Sequence, residues 1–217
     1  MTQFFISLAT VALLSTSASA ALLTPVNSSK TLETVNLSKS AKADLGGGAT
    51  MELTTVGAGL RQKKVALFNV KVYVAELLSS DSSTVAHADS TVLASLDNSR
   101  TVAFRLSFLR AVDAPTVQKS FEDALVVNKV DINAADIKAF LANVKASGDA
   151  NSGKTMVILT NKEGNKDAVY FEDTNGKVTK VVGNVGLARS IQAIWMGVPA
   201  DAGLVALKAA LTTELKF

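Results

Sequence analysis

Hydrophobic positions along this chain change period several times, and each change marks an element. From Ala49 the pattern is that of strands, with candidates at 50–56, 60–66, 69–78 and 100–109. In the third, Val70, Val72 and Val74 share one face. In the fourth, Val102, Phe104, Leu106 and Phe108 alternate with Thr101, Arg105 and Ser107. The spacing then lengthens to threes and fours. Asp113 reads as an N-cap with Pro115 in the first turn of a helix running to about Val127. Its apolar stripe is Val117, Phe121, Ala124 and Leu125. Asn133 reads as the cap of a second helix, where Ile137, Phe140, Leu141 and Val144 repeat the stripe as far as Gly148. Strands at 154–160, 167–172 and 177–182 follow, and Asn175-Gly176 signals the last hairpin. Two helices close the chain, at about 184–195 and 201–214. Gly197 and Pro199 break the first, and Asp201 caps the second. Residues 83–96 keep no single period. Hairpins, rather than regular βαβ alternation, predict an α+β fold: a large, mostly antiparallel sheet packed against a layer of helices.

The N-terminus has a different character. Phe4 to Leu14 is an apolar run too short to span a bilayer, and Ser17-Ala18-Ser19-Ala20 places small residues for cleavage after Ala20. Residues 1–20 thus read as a signal peptide, which sends the protein to the periplasm or outside the cell; an uncleaved anchor or a buried helix is the alternative. Residues 21–49 are rich in Ser, Lys and Ala and end in Gly46-Gly47-Gly48, so they read as a flexible N-terminal extension. A short edge strand near Thr31–Leu37 is the most it predicts. The folded domain is then 50–217, with no internal repeat and no later apolar run of about twenty residues. No stable membrane insertion is expected once the signal is removed.

Composition removes several kinds of chemistry. The chain has no cysteine, so neither disulfides nor a lipid-bearing cysteine is available, and the fold must rest on its core. His87 is the sole histidine, which leaves no ordinary zinc or copper ligand set and no nucleophile elbow beside it; it reads as a surface or satisfied structural residue. The net charge of +3 is spread along the chain, without the basic, aromatic-studded stripe that nucleic acid needs. Gly57-Ala58-Gly59 lacks the third glycine and the helix of a dinucleotide fingerprint. No cofactor or metal is expected, and no catalytic residue is assigned.

One constellation remains. After the Gly-Ala-Gly, read as a turn, comes Arg61, and Tyr73 lies twelve residues beyond. A fold-back centred on Leu67 sets Arg61 opposite Tyr73 on one face of a hairpin, with Lys63 and Lys71 on that same face. A guanidinium fork beside a phenol is suited to holding a carboxylate or another oxyanion. A slip of one residue would separate the two.

GAGLR followed by FNVKVYVAELL resembles the opening strands of the chalcone isomerase and fatty-acid-binding protein superfamily. TVAFRLSFLRAVDAPTVQKSFEDAL (101–125) and NVGLARSIQAIWMGVPADAGLVALKAAL (184–211) continue the likeness. It is greatest to the bacterial exported chalcone isomerase-like proteins. The resemblance implies an open-faced sandwich with a cleft between sheet and helices. It further implies that Arg61 matches the arginine that stabilises an oxyanion in the plant isomerases. In the fatty-acid-binding relatives, an arginine and a nearby tyrosine hold the ligand carboxylate, and Arg61 and Tyr73 match that pair. The isomerase pattern breaks elsewhere: Phe68 stands where a threonine is expected, and no tyrosine lies at 126–129. Ring closure on a chalcone needs a positioned phenol and an electrostatic stabiliser together.

The expected function is therefore an exported, non-catalytic chalcone isomerase-like protein that binds a fatty acid or other small apolar carboxylate or lipid beside Arg61 and Tyr73. The alternative is an isomerase or intramolecular lyase acting on a chalcone-like unsaturated carbonyl compound. A third reading is an interaction module, using residues 21–49 or the terminal helix; nothing in the sequence names its protein partner.

Overall fold

The structure, a computed structural model, describes residues 21–217; the signal-peptide reading of 1–20 lies outside them. Eight strands form one antiparallel sheet in unbroken sequence order. They are β1 (Leu23–Leu32), β2 (Val35–Asp44), β3 (Thr50–Val65), β4 (Phe68–Ser79), β5 (Thr101–Phe108), β6 (Thr155–Glu163), β7 (Lys166–Glu172) and β8 (Val178–Asn184). The helices are the short α1 (Val92–Ser95), then α2 (Ala114–Val127), α3 (Ala135–Ala146), α4 (Leu187–Met196) and α5 (Ala202–Leu211). The α+β class read from the hairpin pattern is the one observed. Asp113 caps α2, accepting from Thr116 N at 2.8 Å. The predicted cap Asn133 does not serve α3, which starts after Ala134 with no side-chain cap.

Strand alternation divides the apolar side chains between two cores. Tyr73, Ala75 and Leu77 of β4 and Val102, Phe104, Leu106 and Phe108 of β5 face the helices, where Phe121, Phe140 and Trp195 complete the main core. Leu78, Ala103, Val157 and Leu159 point the other way and join Leu22, Leu23, Ala41, Ala43 and Leu53 in a second core.

Residues 21–49 correct the sequence reading. They are two ten-residue strands of the sheet, not a flexible extension, so the folded unit begins near Leu22 rather than at 50. The backbone N–H of Leu22 donates to Glu172 at 2.8 Å, and the Tyr170 hydroxyl donates to Leu45 O at 3.1 Å. These ties bring the first hairpin across the reverse face of the sheet. The three glycines form the β2–β3 turn, with Gly46, Gly47 and Gly48 at φ of 82°, 61° and 82°, where side chains are disfavoured. Composition concealed the strands because β2 buries Ala41, Ala43 and Ser38, residues with little strand signal of their own.

Under that hairpin lies a buried ion pair. Glu76 of β4 is inaccessible to solvent, is paired with the Arg105 guanidinium of β5, and accepts from Ser38 N of β2 at 2.5 Å. One carboxylate therefore fastens β2 across β4. Removing one member of such a pair leaves an uncompensated charge. Glu76→Ala is expected to lower the unfolding free energy by about 3–5 kcal/mol in urea melts; a loss below about 1 kcal/mol would show that the pair is dispensable.

Candidate functional site

The site begins with how closely α5 lies on β3. Gly57, Gly59 and Arg61 alternate along β3 and share its helix-facing side. A Cβ at Gly57 would sit 2.2 Å from Leu211 O, and one at Gly59 would sit 2.6 Å from Ala210 Cβ. On the helix, a Cβ at Gly203 would sit 1.9 Å from Gln62 O and 2.1 Å from Arg61 Nη1. Bare backbone on both partners is what allows this approach. The Gly-Ala-Gly is thus no turn; it is the interior of a sixteen-residue strand, flattened where a helix rests on it.

Arg61 and Tyr73 are paired across β3 and β4, as the sequence predicts. The route to that pairing differs. The turn is the two residues Ala66 and Leu67, with Ala66 at φ 53°, and near it the register pairs Lys63 with Val70 and Gln62 with Lys71. A bulge at Val72 then advances β4 by one residue and brings Tyr73 opposite Arg61. The bulge also breaks the expected Val70, Val72, Val74 row, since Val72 and Tyr73 both reach the main core. Lys71 is displaced from the face of Arg61 and pairs instead with Glu33 at 2.7 Å.

Arg61 is only 4% exposed, and both of its terminal nitrogens are engaged. Nη1 donates to Asp201 Oδ1 at 2.8 Å and to Gln62 O at 2.5 Å, while Nη2 donates to Asp201 Oδ2 at 2.5 Å. This is a two-pronged carboxylate clamp. Asp201 Oδ1 also accepts from Leu204 N at 3.0 Å, capping α5. Burial pushes the Asp201 carboxyl up, but the Arg61 hydrogen bonds and the cap prevail and hold it below the usual aspartate range.

The Tyr73 hydroxyl accepts from Trp195 Nε1 at 3.2 Å. Burial raises its pKa, against the opposing charge of Arg61, so it stays a neutral phenol. Its ring meets Phe108 edge-on, and Trp195 stacks on Phe104 with centroids 4.5 Å apart. Beside Arg61 and Tyr73, between β3–β5 and α2, lies a cavity of about 50 Å³ lined by Val72, Phe108, Val117 and Phe121. That is room for one or two waters, against the 300–1,000 Å³ or so of a ligand pocket. The cleft is closed in this structure.

Sequence reasoning found Arg61 and Tyr73 but missed the residues that engage them. Asp201 was legible only as a helix cap and Trp195 only as part of an apolar face. His87 holds Thr212 O at 2.6 Å through Nδ1, a structural contact at the end of α5. Where the isomerases' tyrosine is expected, Val126 and Val127 face water, and Asn128 braces the loop before Asp201. Its amide donates to Val198 O at 3.0 Å and accepts from Val198 N at 2.7 Å. Phe68 stands exposed at the hairpin end. Among the described residues, no group of three or more His, Cys, Asp or Glu side chains could hold a metal.

Because the Asp201 carboxyl is held below its ordinary value, the pair stabilises the fold fully above the usual aspartate range of about 4 and is lost as pH falls through the lowered value. Asp201 is 39% exposed, so screening reduces the contribution to about 1–2 kcal/mol. Denaturation of wild type and Asp201→Asn is expected to show that difference at pH 7 and its disappearance once the pH falls below the lowered Asp201 value. A pH-independent difference would contradict the ionic origin.

The model of the chalcone isomerase-like family matches residues 29–211. No curated protein sequence matches the chain. Among solved structures, the fold is similar to that of a fatty-acid binding protein from Arabidopsis thaliana. The TM-score is 0.54 and the identity 17%, with 82% of this chain and 92% of that one covered. At that identity the likeness is one of fold. The family match takes in the end of β1, all of β2 through β8 and every helix from α1 to α5, and so the chain belongs to the chalcone isomerase-like family.

Proposed function

We propose that this protein binds a small apolar carboxylate, such as a medium-chain fatty acid, with the head group on Arg61 and Tyr73 and the tail between α2 and the sheet. The observation that carries this reading is the buried fork of Arg61 with a carboxylate already seated in it. Asp201 stands where the ligand's carboxylate would go. It is the movable partner: its side chain reaches water, and it follows the Gly197–Pro199 break, whereas Arg61 is fixed in the sheet. A ligand acid would exchange with Asp201, and Val117 and Phe121 of α2 would move off Phe108 and Val72 to admit the chain. The fold shared with a fatty-acid binding protein supports the same ligand class.

Magnitudes favour moderate affinity. Burying each methylene contributes about 0.8 kcal/mol, so a ten-carbon tail gains roughly 8 kcal/mol. Displacing Asp201, opening α2 and ordering the ligand offset part of that, which leaves binding in the micromolar range. Calorimetric titration of delipidated protein with laurate provides the test. Asp201→Asn, which vacates the fork while keeping a capping oxygen, is expected to bind roughly tenfold tighter than wild type. Arg61→Lys, which keeps the charge without the fork, is expected to bind roughly tenfold weaker. Equal laurate affinity in all three, or no binding at millimolar ligand, would overturn the proposal.

The proposal places the protein in the exported space, on the strength of the apolar run and small residues that precede Ala21. Among the described residues Leu22 is the first that is buried, and cleavage after Ala20 leaves its tie to Glu172 whole. N-terminal sequencing of protein from its native host is expected to begin at Ala21. An intact Met1 or Thr2 on the mature protein would contradict export by cleavage.

A further inference from the structure

The end of the β3–β4 ribbon serves neither core. β2 pairs with β3 only from Thr50 to Thr54, and β5 pairs with β4 only from Tyr73 to Ser79. The strand ladder of residues 62–71 is therefore formed only within the ribbon, which projects past the neighbouring strands by about five residues, roughly 15 Å. At the tip, Leu67 is 89% and Phe68 74% exposed, with Val65 exposed beside them. Lys63 and Lys64 stand just behind, both exposed; Lys71, across the ribbon, is paired with Glu33 of the β1–β2 turn.

We propose that this ribbon docks the protein on a bilayer surface containing anionic lipid. The vertical order fits that partner: the apolar tip leads, and the ammonium groups follow within about 10 Å, the depth over which interfacial segments pass from acyl chain to head group. Lys71 is engaged by Glu33, and the two adjacent ammonium groups of Lys63 and Lys64 supply the charge that complements an anionic surface. Exposed apolar side chains grouped with lysines are otherwise a liability in water. Lys63 also lines the cavity beside Arg61, so docking would turn the closed cleft toward the lipid. The docking surface does not depend on the ligand reading, and failure of laurate binding would leave it standing.

Since the chain lacks cysteine, Leu67→Cys and Val182→Cys each accept one environment-sensitive fluorophore. Val182 is exposed on β8, the far edge of the sheet, and serves as the control position away from the ribbon. Phosphatidylcholine vesicles containing phosphatidylglycerol are expected to brighten and blue-shift the label at position 67 and leave that at 182 unchanged. Lys63→Ala/Lys64→Ala should weaken this partitioning roughly thirtyfold, from about 1 kcal/mol per lysine. Three results would overturn the proposal: no change at position 67 on anionic vesicles, equal changes at both positions, or equal partitioning to pure phosphatidylcholine. A change that grows with protein concentration and needs no lipid would overturn it too, by showing self-association.

Discussion

The contact between Arg61 and Asp201 joins the two halves of the architecture. Arg61 belongs to β3 and Asp201 opens α5, at opposite ends of the sequence, and their clamp fixes where the terminal helix begins. The glycines make that clamp geometrically attainable. With a side chain at 57, 59 or 203 the helix would stand off the strand, and the fork would not reach the carboxylate. Charge and shape act together here, since a buried guanidinium is tolerable only with its donors engaged. On the proposed reading, whatever displaces Asp201 must bring a planar, two-oxygen anion of its own.

The aromatic layer behind the clamp determines how the cleft can open. Tyr73 is held by Trp195, which is packed against both Phe104 and Phe121. The sheet side of the cavity is therefore rigid. The α2 side has Val117 and Phe121 as its facing residues, and the opening that the proposed function requires would move α2 rather than Tyr73.

Much of this was legible in the sequence, for identifiable reasons. Elements with strong period, such as β5 and α2, announced themselves through Val102, Phe104, Leu106 and Phe108 and through Asp113 and Pro115. The first hairpin was hidden because its buried positions are mostly alanine and serine and its polar residues face water. The pairing of Arg61 with Tyr73 was reached through an off-centre turn whose error the bulge at Val72 cancels; Lys71, on the turn side of the bulge, shows the error uncancelled. Asp201 as the partner of Arg61 had no local signal at all, because tertiary contacts across 140 residues leave no periodicity. Gly57 and Gly59 were visible but misread, since a glycine that admits a helix and one that makes a turn look alike in sequence.

The central claim is that Asp201 and the ligand's carboxylate compete for one fork. Carbon-detected NMR of the Asp201 side chain, followed through an acid titration with and without laurate, tests it most directly. In the free protein the carboxyl should titrate below the ordinary aspartate value; with laurate bound it should rise toward about 3.9 as its guanidinium partner is taken away. An Asp201 titration unchanged by saturating laurate would contradict the account.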